Sequence, residues 1–390
     1  SAQAALAVDN LHQQKRLWLS KLVVDNFRNY QKAHLQLDSS SVVLTGPNGA
    51  GKTNLLEAIS LLAPGRGMRR ARREHWPNAC SQSSHWAVAA TVQSADGEVK
   101  IGSGVTLDAS HAGRVMRLEG QTVSQTEIGG YIGVSWLAPH MDGIFVDSPS
   151  ARRRFLDRLV IAFDPAHIGR MARYEKALRQ RSILLTEGPG DVSWLQSLEA
   201  VLAETAVAVT AARQILIRDL NQEAEKGWLG FPGVRLSLVG DTEQWLADMP
   251  AIQVEDKLMA ASKRARLAGD TAMPGPHASD LQAVHLASQT PSYLASTGQQ
   301  KALLIAVVLA HARLQERRLG KSPLMLLDDV AAHLDADRRA ALFEAVGLLG
   351  GQCWYSGSDE QQFHDLMGKA QFVSVRPTSR SDQTPEFEVK

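Results

Sequence analysis

The chain has 390 residues, of which 44% are hydrophobic, and its formal net charge at pH 7 is +1. This length predicts more than one compact unit, and a net charge near zero does not by itself indicate a nucleic-acid partner. The composition argues against a membrane protein, because the longest apolar stretch, residues 302–310, is too short to span a bilayer. It also argues against a disulfide-bonded secreted protein, because Cys80 and Cys353 form no disulfide or metal-binding pattern.

The first predicted elements are a tail and three strands. Residues 1–16 lack the apolar core of a signal peptide, and we expect a flexible N-terminal tail there. Strands are predicted near residues 18–24, 32–37 and 42–45.

A glycine-rich loop follows the third strand and opens a helical run, which is the context that a phosphate-binding loop requires. Glycines let backbone N–H groups point at phosphate oxygens, and the helix N-terminus adds a favourable dipole. We expect Lys52 to neutralise the β- and γ-phosphates as a catalytic group, and the Thr53 hydroxyl to bind Mg²⁺. The alternative is a glycine-rich turn with a surface lysine. The loop residues are Gly46, Pro47, Asn48, Gly49, Ala50, Gly51, Lys52 and Thr53.

The middle of the chain predicts a hairpin and then long helices. Alternating residues from 86 to 92, a turn at Asp96-Gly97 and a strand at 99–101 indicate an antiparallel hairpin. A helix is predicted from Asp164-Pro165 to about Glu187, and a second one, about 50 Å long, over residues 191–226. We therefore expect a helical arm over residues 155–285, inserted between two lobes of a head at residues 17–154 and 286–390.

Basic residues cluster at three places, and such clusters favour contact with DNA backbone phosphates. A solvated charged face is the alternative for each cluster, and residues 152–154 could instead be structural. The candidate DNA contacts are Arg66, Arg69, Arg70, Arg72, Arg73, Lys263, Arg264 and Arg266.

A second phosphate-facing helix start is predicted shortly before the apolar run at residues 302–309. The loop at 46–53 already supplies a complete phosphate cradle, so this helix start is best explained if it serves the nucleotide of another subunit. An ATP-dependent homodimer follows, although an ordinary serine N-cap is the alternative. The residues concerned are Ser296, Gly298 and Gln299.

An apolar strand at residues 324–327 ends in Asp328 and Asp329. Catalytic groups sit at the carboxyl ends of buried parallel strands. We expect Asp328 to hold Mg²⁺ and Asp329 to orient or deprotonate the attacking water. A helix N-cap is the alternative reading of the pair. Asp335, a little further on, is expected near the subunit boundary.

Together these motifs resemble the ABC-type ATPase head, an α/β fold that would here be built from both chain ends. Finer blocks resemble the RecF DNA repair proteins, in order from about residue 17 to 360. These blocks lie at residues 22–30, 149–157, 174–181, 275–277, 296–301 and 327–331.

The resemblance implies a cytoplasmic, ATP-dependent DNA-binding protein of recombinational repair and replication. RecF proteins dimerise around two ATP molecules and hydrolyse ATP slowly. The expected partner is double-stranded, gapped or junction DNA, and the sequence does not distinguish among these. With RecO and RecR they load RecA at single-strand gaps.

The chain departs from the pattern at several positions. Pro139-His140 stands where the family generally has Pro-Glu, and the family's Gly-Pro-His-Arg becomes Gly-Pro-His-Ala at residues 275–278. No ABC-type switch histidine follows residues 352–357, so Ser356 or Ser358 is a candidate for that place. An ABC-transporter ATPase subunit and a short SMC-like architectural ATPase remain the alternatives. DNA-stimulated hydrolysis would argue against the transporter, because a transporter subunit should ignore duplex DNA.

Overall fold

The computed structural model describes residues 17–69, 75–78, 81, 83–105, 113–188, 191–377 and 385–389. The chain divides into two compact units. The head unit comprises Ser1–Asp142, Trp228–Phe231 and Leu304–Lys390, and the inserted unit comprises Gly143–Gly227 and Pro232–Leu303. The head unit therefore takes residues from both sides of the inserted unit. The predicted tail, residues 1–16, lies outside the described residues.

The described strands and helices have the following bounds. The strands are β1 Trp18–Phe27, β2 Tyr30–Gln36, β3 Ser41–Thr45, β4 Trp86–Ser94, β5 Gly97–Val105, β6 Val115–Leu118, β7 Gln121–Val123, β8 Val134–Leu137, β9 Val234–Val239, β10 Asp280–His285, β11 Thr290–Pro291, β12 Leu324–Asp328, β13 Cys353–Gly357, β14 Ala370–Arg376 and β15 Glu386–Val389. The helices are α1 Lys52–Ser60, α2 Gln125–Ile128, α3 Pro149–Ile161, α4 His167–Thr186, α5 Val192–Ala224, α6 Asp241–Asp248, α7 Ala251–Leu267, α8 Thr297–Leu319 and α9 Ala336–Leu348.

An antiparallel sheet in the head unit has the strand order β2-β1-β4-β5-β6-β7. The predicted hairpin is β4–β5, but Ser94 pairs with Gly97, so the turn is Ala95-Asp96, one residue earlier than expected. A type I′ turn would need positive φ at both turn residues, and a type II′ turn would need it at the first. Here Gly97, with φ of 109°, takes the positive angle after the turn, which shifts the register by one.

The second sheet of the head unit has the order β15-β14-β3-β13-β12-β8, and its five strands from β14 to β8 are parallel. Strands β12 and β13 are buried along their whole length, as expected for a parallel sheet covered on both faces. In the register, Leu44 pairs with Ser356, and Ser356 pairs with Asp328. The carboxyl ends of β3, β13 and β12 therefore meet at one edge, where the phosphate-loop motif and the acidic pair emerge.

The inserted unit contains the long helices. Helices α4 and α5 confirm the two predicted helices to within a few residues at each end. The Asp191 carboxylate caps α5 by accepting hydrogen bonds from the N–H groups of Ser193 and Trp194. Leu195, Leu202 and other positions at helical spacing are buried in its core. A small sheet of order β11-β10-β9 completes the unit.

Among the helices that the structure describes, α5 alone is long and apolar enough to cross a membrane, judged by length and composition. A core helix has the same properties. Helix α5 packs against α4 and α7, and its Arg213 and Glu199 side chains are buried within the unit. The packing is that of a core helix.

Several ion pairs within the inserted unit use its arginines. The Arg213 guanidinium donates to both carboxylate oxygens of Asp157 at 2.8 Å, and His167 Nε2 lies 2.8 Å from the same carboxylate. Arg152 pairs in the same bidentate way with Asp280, and Arg153 donates to the Ser279 carbonyl. Arg152 and Arg153 therefore have the structural role that was one of the alternatives for residues 152–154.

We expect Asp157→Asn to destabilise the protein by about 3–5 kcal/mol, because it leaves a buried guanidinium without its counter-charge. Burial alone would raise the pKa of Asp157, but hydrogen bonds from His167 and Arg213 hold that pKa below its ordinary value. Such a carboxyl stabilises the fold above its unfolded pKa, about 3.9, and loses this contribution as the pH falls through the folded pKa. Urea unfolding from pH 7 to pH 3 should therefore show the difference between the two proteins shrinking with acidity.

Asp164→Asn is the matched control, because Asp164 pairs with Arg170 at the surface, where its side chain is 40% exposed. Its loss should cost less than about 1 kcal/mol. Equal effects of the two substitutions would contradict the assignment of Asp157 to a buried ionic core.

Candidate nucleotide-binding site

The loop between β3 and α1 needs glycine at both of its ends. Gly46 has φ of 148°, and a Cβ there would lie 2.1 Å from the Val375 carbonyl oxygen. Gly51 has φ of 114°, and a Cβ there would lie 2.5 Å from the Asn29 amide nitrogen. No L-residue with a side chain fits either position without moving backbone or its supports. The loop can therefore bring its N–H groups close to a ligand.

Lys52 and Thr53 begin helix α1 at the mouth of this loop. The Lys52 Nζ donates to the carbonyl oxygens of Gly46 at 2.5 Å and Pro47 at 2.9 Å, which holds the side chain along the loop. Burial lowers the pKa of Lys52, while the neighbouring Asp329 and Asp328 act in the opposite direction. The ammonium group thus has carboxylates near it and lies where phosphates would arrive.

The acidic pair closes the other side of the site. The Thr53 hydroxyl donates to Asp328 Oδ1 at 3.0 Å, although the two residues are 275 positions apart. Asp328 is 6% exposed, whereas the Asp329 side chain is 43% exposed. Asp329 has φ of 52°, a left-handed conformation that Asp tolerates better than most residues. The chain turns sharply there, and the second carboxylate lies partly exposed beside the loop, with Oδ2 3.6 Å from His333 Nε2.

Ser356 links the two aspartates at the end of β13. Its hydroxyl donates to Asp328 Oδ1 at 2.7 Å and accepts a hydrogen bond from the Asp329 N–H at 3.0 Å. Ser358 is exposed and makes no contact of this kind among those described. Of the two serines predicted to replace a switch histidine, Ser356 is therefore the one that lies at the acidic pair.

Residues of the phosphate loop, the acidic pair and Ser356 line a cleft of about 210 Å³, and Pro139 and Arg69 line it as well. Arg69 was predicted to contact DNA. Its Nη1 donates to Asn54 Oδ1 at 2.7 Å and lies 3.6 Å from a Glu57 carboxylate oxygen. The structure thus places Arg69, one of the candidate DNA contacts, in the lining of the cleft, which no local sequence pattern indicated.

The oxygen donors of this cleft fit a magnesium ion. Mg²⁺ prefers hydroxyl and carboxylate oxygens and keeps further positions for water and phosphate oxygens. Thr53 and Asp328 present such oxygens 3.0 Å apart. No group of three or more His, Cys, Asp or Glu side chains in the described ranges could hold a metal. A magnesium ion here would therefore depend on phosphate oxygens as well as on these two residues.

Comparison with known proteins identifies the family. Residues 18–364 match the family of the RecF/RecN/SMC N-terminal domain. A DNA replication and repair protein RecF from Mesorhizobium japonicum is 44% identical over 364 residues, covering 92% of this chain and 96% of that protein. The chain belongs to the RecF family.

Solved structures agree on the fold. A structure described as the recombination mediator protein RecF-ATPrS in the RecFOR pathway has a TM-score of 0.80 at 24% identity, covering 96% of this chain and 99% of that chain. The Smc head domain of Pyrococcus furiosus has a TM-score of 0.51 at 16% identity, with 96% of each chain covered. The predicted α/β head of the RecF and SMC type is confirmed.

One of the blocks that resembled the RecF family holds the phosphate loop. Arg28 makes two hydrogen bonds, at 2.9 and 3.0 Å, to the buried carboxylate of Glu57 on α1. Asn29 donates to the Ala50 carbonyl at 3.2 Å, and the Tyr30 hydroxyl donates to the Gly51 carbonyl at 2.8 Å. The sequence shows this block as part of the family resemblance, but it does not show that the block supports the phosphate loop.

The second predicted helix start belongs to the inserted unit. The N–H group of Gln299 donates to the Ser296 hydroxyl at 3.3 Å, and the Ser296 N–H donates to Gln299 Oε1 at 3.0 Å, which is a capping box. Ser296, Gly298 and Gln299 are all exposed. Asp335, also exposed, caps α9 through the N–H of Arg338. Roles for these residues at a subunit boundary stay predictions.

The other predicted DNA contacts differ in their surroundings. Arg66, Lys263 and Arg264 are exposed. The Arg266 guanidinium instead bonds both oxygens of the Glu199 carboxylate, which is itself buried. Three further predicted contacts, Arg70, Arg72 and Arg73, lie outside the described residues.

We expect Ser356→Ala to lower the rate of ATP hydrolysis by about ten- to a hundredfold. The substitution removes a hydrogen bond to a buried carboxylate, which is worth about 1.5–3 kcal/mol, and the bond that fixes the Asp329 backbone. Nucleotide affinity should change less, because the phosphate loop is intact. Steady-state phosphate release and equilibrium ATP binding would measure the two effects.

The exposed Ser358 offers a matched control, since Ser358→Ala should leave both quantities unchanged. Normal hydrolysis by Ser356→Ala would remove this serine from the catalytic arrangement.

Proposed function

We propose that this protein is an ATP-dependent DNA-binding ATPase of recombinational DNA repair and replication, in which ATP joins two copies of the chain. The observation that carries the proposal is the 3.0 Å contact between Thr53 and Asp328, with Lys52 and Asp329 beside it. A loop after one parallel strand and an acidic pair after another form a single cleft suited to a triphosphate and a divalent cation.

Each residue of the cleft has a distinct task in this proposal. Lys52 exchanges its hydrogen bonds to loop carbonyls for phosphate oxygens and neutralises their charge. Thr53 and Asp328 would hold Mg²⁺, which supplies charge neutralisation at the phosphates. Asp329, whose side chain is partly exposed, orients the attacking water and accepts its proton. Its side chain is one methylene shorter than the glutamate of typical ABC heads, which favours slow, switch-like hydrolysis.

Dimerisation would use the exposed helix start at Ser296. The capping box occupies its serine and glutamine side chains, yet the first turn of the helix is open to solvent. A helix N-terminus attracts phosphate through its N–H groups and dipole. We propose that the first turn, including Gly298, contacts the γ-phosphate bound to a second copy, with Asp335 close to the same boundary.

DNA would be held through sequence-independent phosphate contacts. The exposed Arg66, Lys263 and Arg264 are the described side chains available for them, and Arg70, Arg72 and Arg73 complete the proposed set. Arg69, which lines the nucleotide cleft, belongs to the same proposed set. By family membership we also propose the cytoplasm as location, and RecO and RecR as partners in loading RecA at gaps. The match over nearly the whole length of a repair protein favours this function over a transporter subunit.

Lys52→Ala should abolish ATP binding and ATP-dependent dimerisation, because the phosphates lose their only cation in the loop. Ser296→Arg should bind ATP normally but remain monomeric, since the new side chain blocks the helix start. Light scattering with and without ATP and Mg²⁺, paired with a nucleotide-binding assay, separates these outcomes. A dimer formed by either variant would contradict the proposed sandwich of two subunits.

Asp329→Asn should slow hydrolysis by at least about a hundredfold and prolong the ATP-bound dimer, because an amide cannot accept the proton of the attacking water. In the presence of ATP, the complex of this variant with DNA should then last longer than that of the unsubstituted protein. The comparison is made across salt concentrations. Turnover at the normal rate would remove Asp329 from the catalytic role.

A further inference from the structure

The two ends of the phosphate loop rest on different supports. At its C-terminal end, the Gly51 carbonyl accepts the Tyr30 hydroxyl at 2.8 Å, and Gly51 precedes the first residue of α1. At its N-terminal end, Gly46 lies so close to the Val375 carbonyl of β14 that no side chain fits between them. The conformation of the loop therefore depends on Tyr30 and on β14.

The C-terminal strand β15 reaches both supports. It pairs antiparallel with β14, and Phe387 lies opposite Val375 in the register. The Phe387 ring also stacks on the Tyr30 ring, with centroids 5.8 Å apart and planes 8° from parallel. One residue at the edge of the sheet thus contacts the side chain that holds Gly51 and pairs with the strand that supports Gly46.

Tyr30 is suited to transmit this contact. Its side chain is fully buried, and burial raises the pKa of its hydroxyl, so that the hydroxyl remains a neutral donor at physiological pH. The Phe387 ring packs against Tyr30 in an offset, nearly parallel arrangement. Removing that ring would leave Tyr30 room to change rotamer, and the hydrogen bond to Gly51 would then no longer be fixed.

We propose that Phe387 is a positioning residue of the nucleotide site, and that β15 holds the phosphate loop in its binding conformation before the triphosphate arrives. The inference rests on the proposed ATP-binding function. A loop held in advance binds more tightly, because less conformational freedom is lost on binding. Aromatic pairs contribute enough to change a dissociation constant about three- to tenfold.

The test measures the affinity of the full-length protein for ATPγS with Mg²⁺. Phe387→Leu keeps an apolar side chain but loses the ring, and we expect the dissociation constant to rise about three- to tenfold. The KM for ATP should rise by a similar factor, with kcat nearly unchanged. Phe387→Tyr keeps the stacked face and should restore affinity to within about twofold. A merely structural role would lower the melting temperature without this separation of KM from kcat.

Two further variants complete the design. Tyr30→Phe keeps the stacked ring and removes the donor to Gly51, so its affinity for ATPγS should also fall. When Tyr30→Phe and Phe387→Leu are combined, the dissociation constant should rise by less than the product of the two single increases. Glu388→Gln alters the neighbouring exposed side chain of β15, which bonds Arg376, and should bind ATPγS normally.

The affinities of these proteins for ATPγS decide whether Phe387 positions the loop. Normal affinity in folded Phe387→Leu overturns the proposal, as does an equal loss in Glu388→Gln. If Phe387→Leu does not fold, normal affinity in Tyr30→Phe overturns it instead. Failure of the unsubstituted protein to bind ATPγS would overturn the proposed function itself, which distinguishes the two failures.

Discussion

The nucleotide cleft exists because three parallel strands share one register. Leu44 on β3, Ser356 on β13 and Asp328 on β12 lie side by side, so the residues that follow each strand emerge at the same edge. Side chains alternate between the two faces of a strand, and a shift of one residue would turn the Asp328 carboxylate away from Thr53. The hydrogen bond between Thr53 and Asp328 is thus the direct result of this pairing.

The same register determines the electrostatics of the site. Asp328 is buried and accepts hydrogen bonds from two hydroxyl groups, whereas Asp329 begins a left-handed turn and remains open to solvent. Two adjacent carboxylates therefore have different surroundings, which suits one to a metal and the other to a water molecule. Lys52 lies between the loop carbonyls and this negative charge, in a position to move to phosphate oxygens.

Many arginines of the inserted unit are used to hold it together. Arg152, Arg213 and Arg266 each bind a carboxylate through two guanidinium nitrogens. A guanidinium matches a carboxylate in shape and stays charged when buried, so arginine is well suited to such internal pairs. Two members of the basic clusters, Arg152 and Arg266, are therefore engaged in pairs within the unit, whereas Lys263 and Arg264 are exposed.

The sequence alone determined those features that depend on neighbouring residues. The phosphate loop, the acidic strand end and the helices α4 and α5 follow from glycine spacing, apolar periodicity and capping residues, all of which act locally. The fold class followed from these motifs together with the family resemblance. The turn of the β4–β5 hairpin was misplaced by one residue, because the local pattern did not show which residue would take the positive φ.

Only the tertiary structure decided which distant residues meet. It placed Ser356, and not Ser358, against the acidic pair, put Arg69 in the lining of the cleft and paired Arg266 with Glu199. It also stacked Phe387 on Tyr30, close to the loop. Each of these contacts depends on how strands and helices pack together, and the sequence around either partner carries no local pattern that records the other.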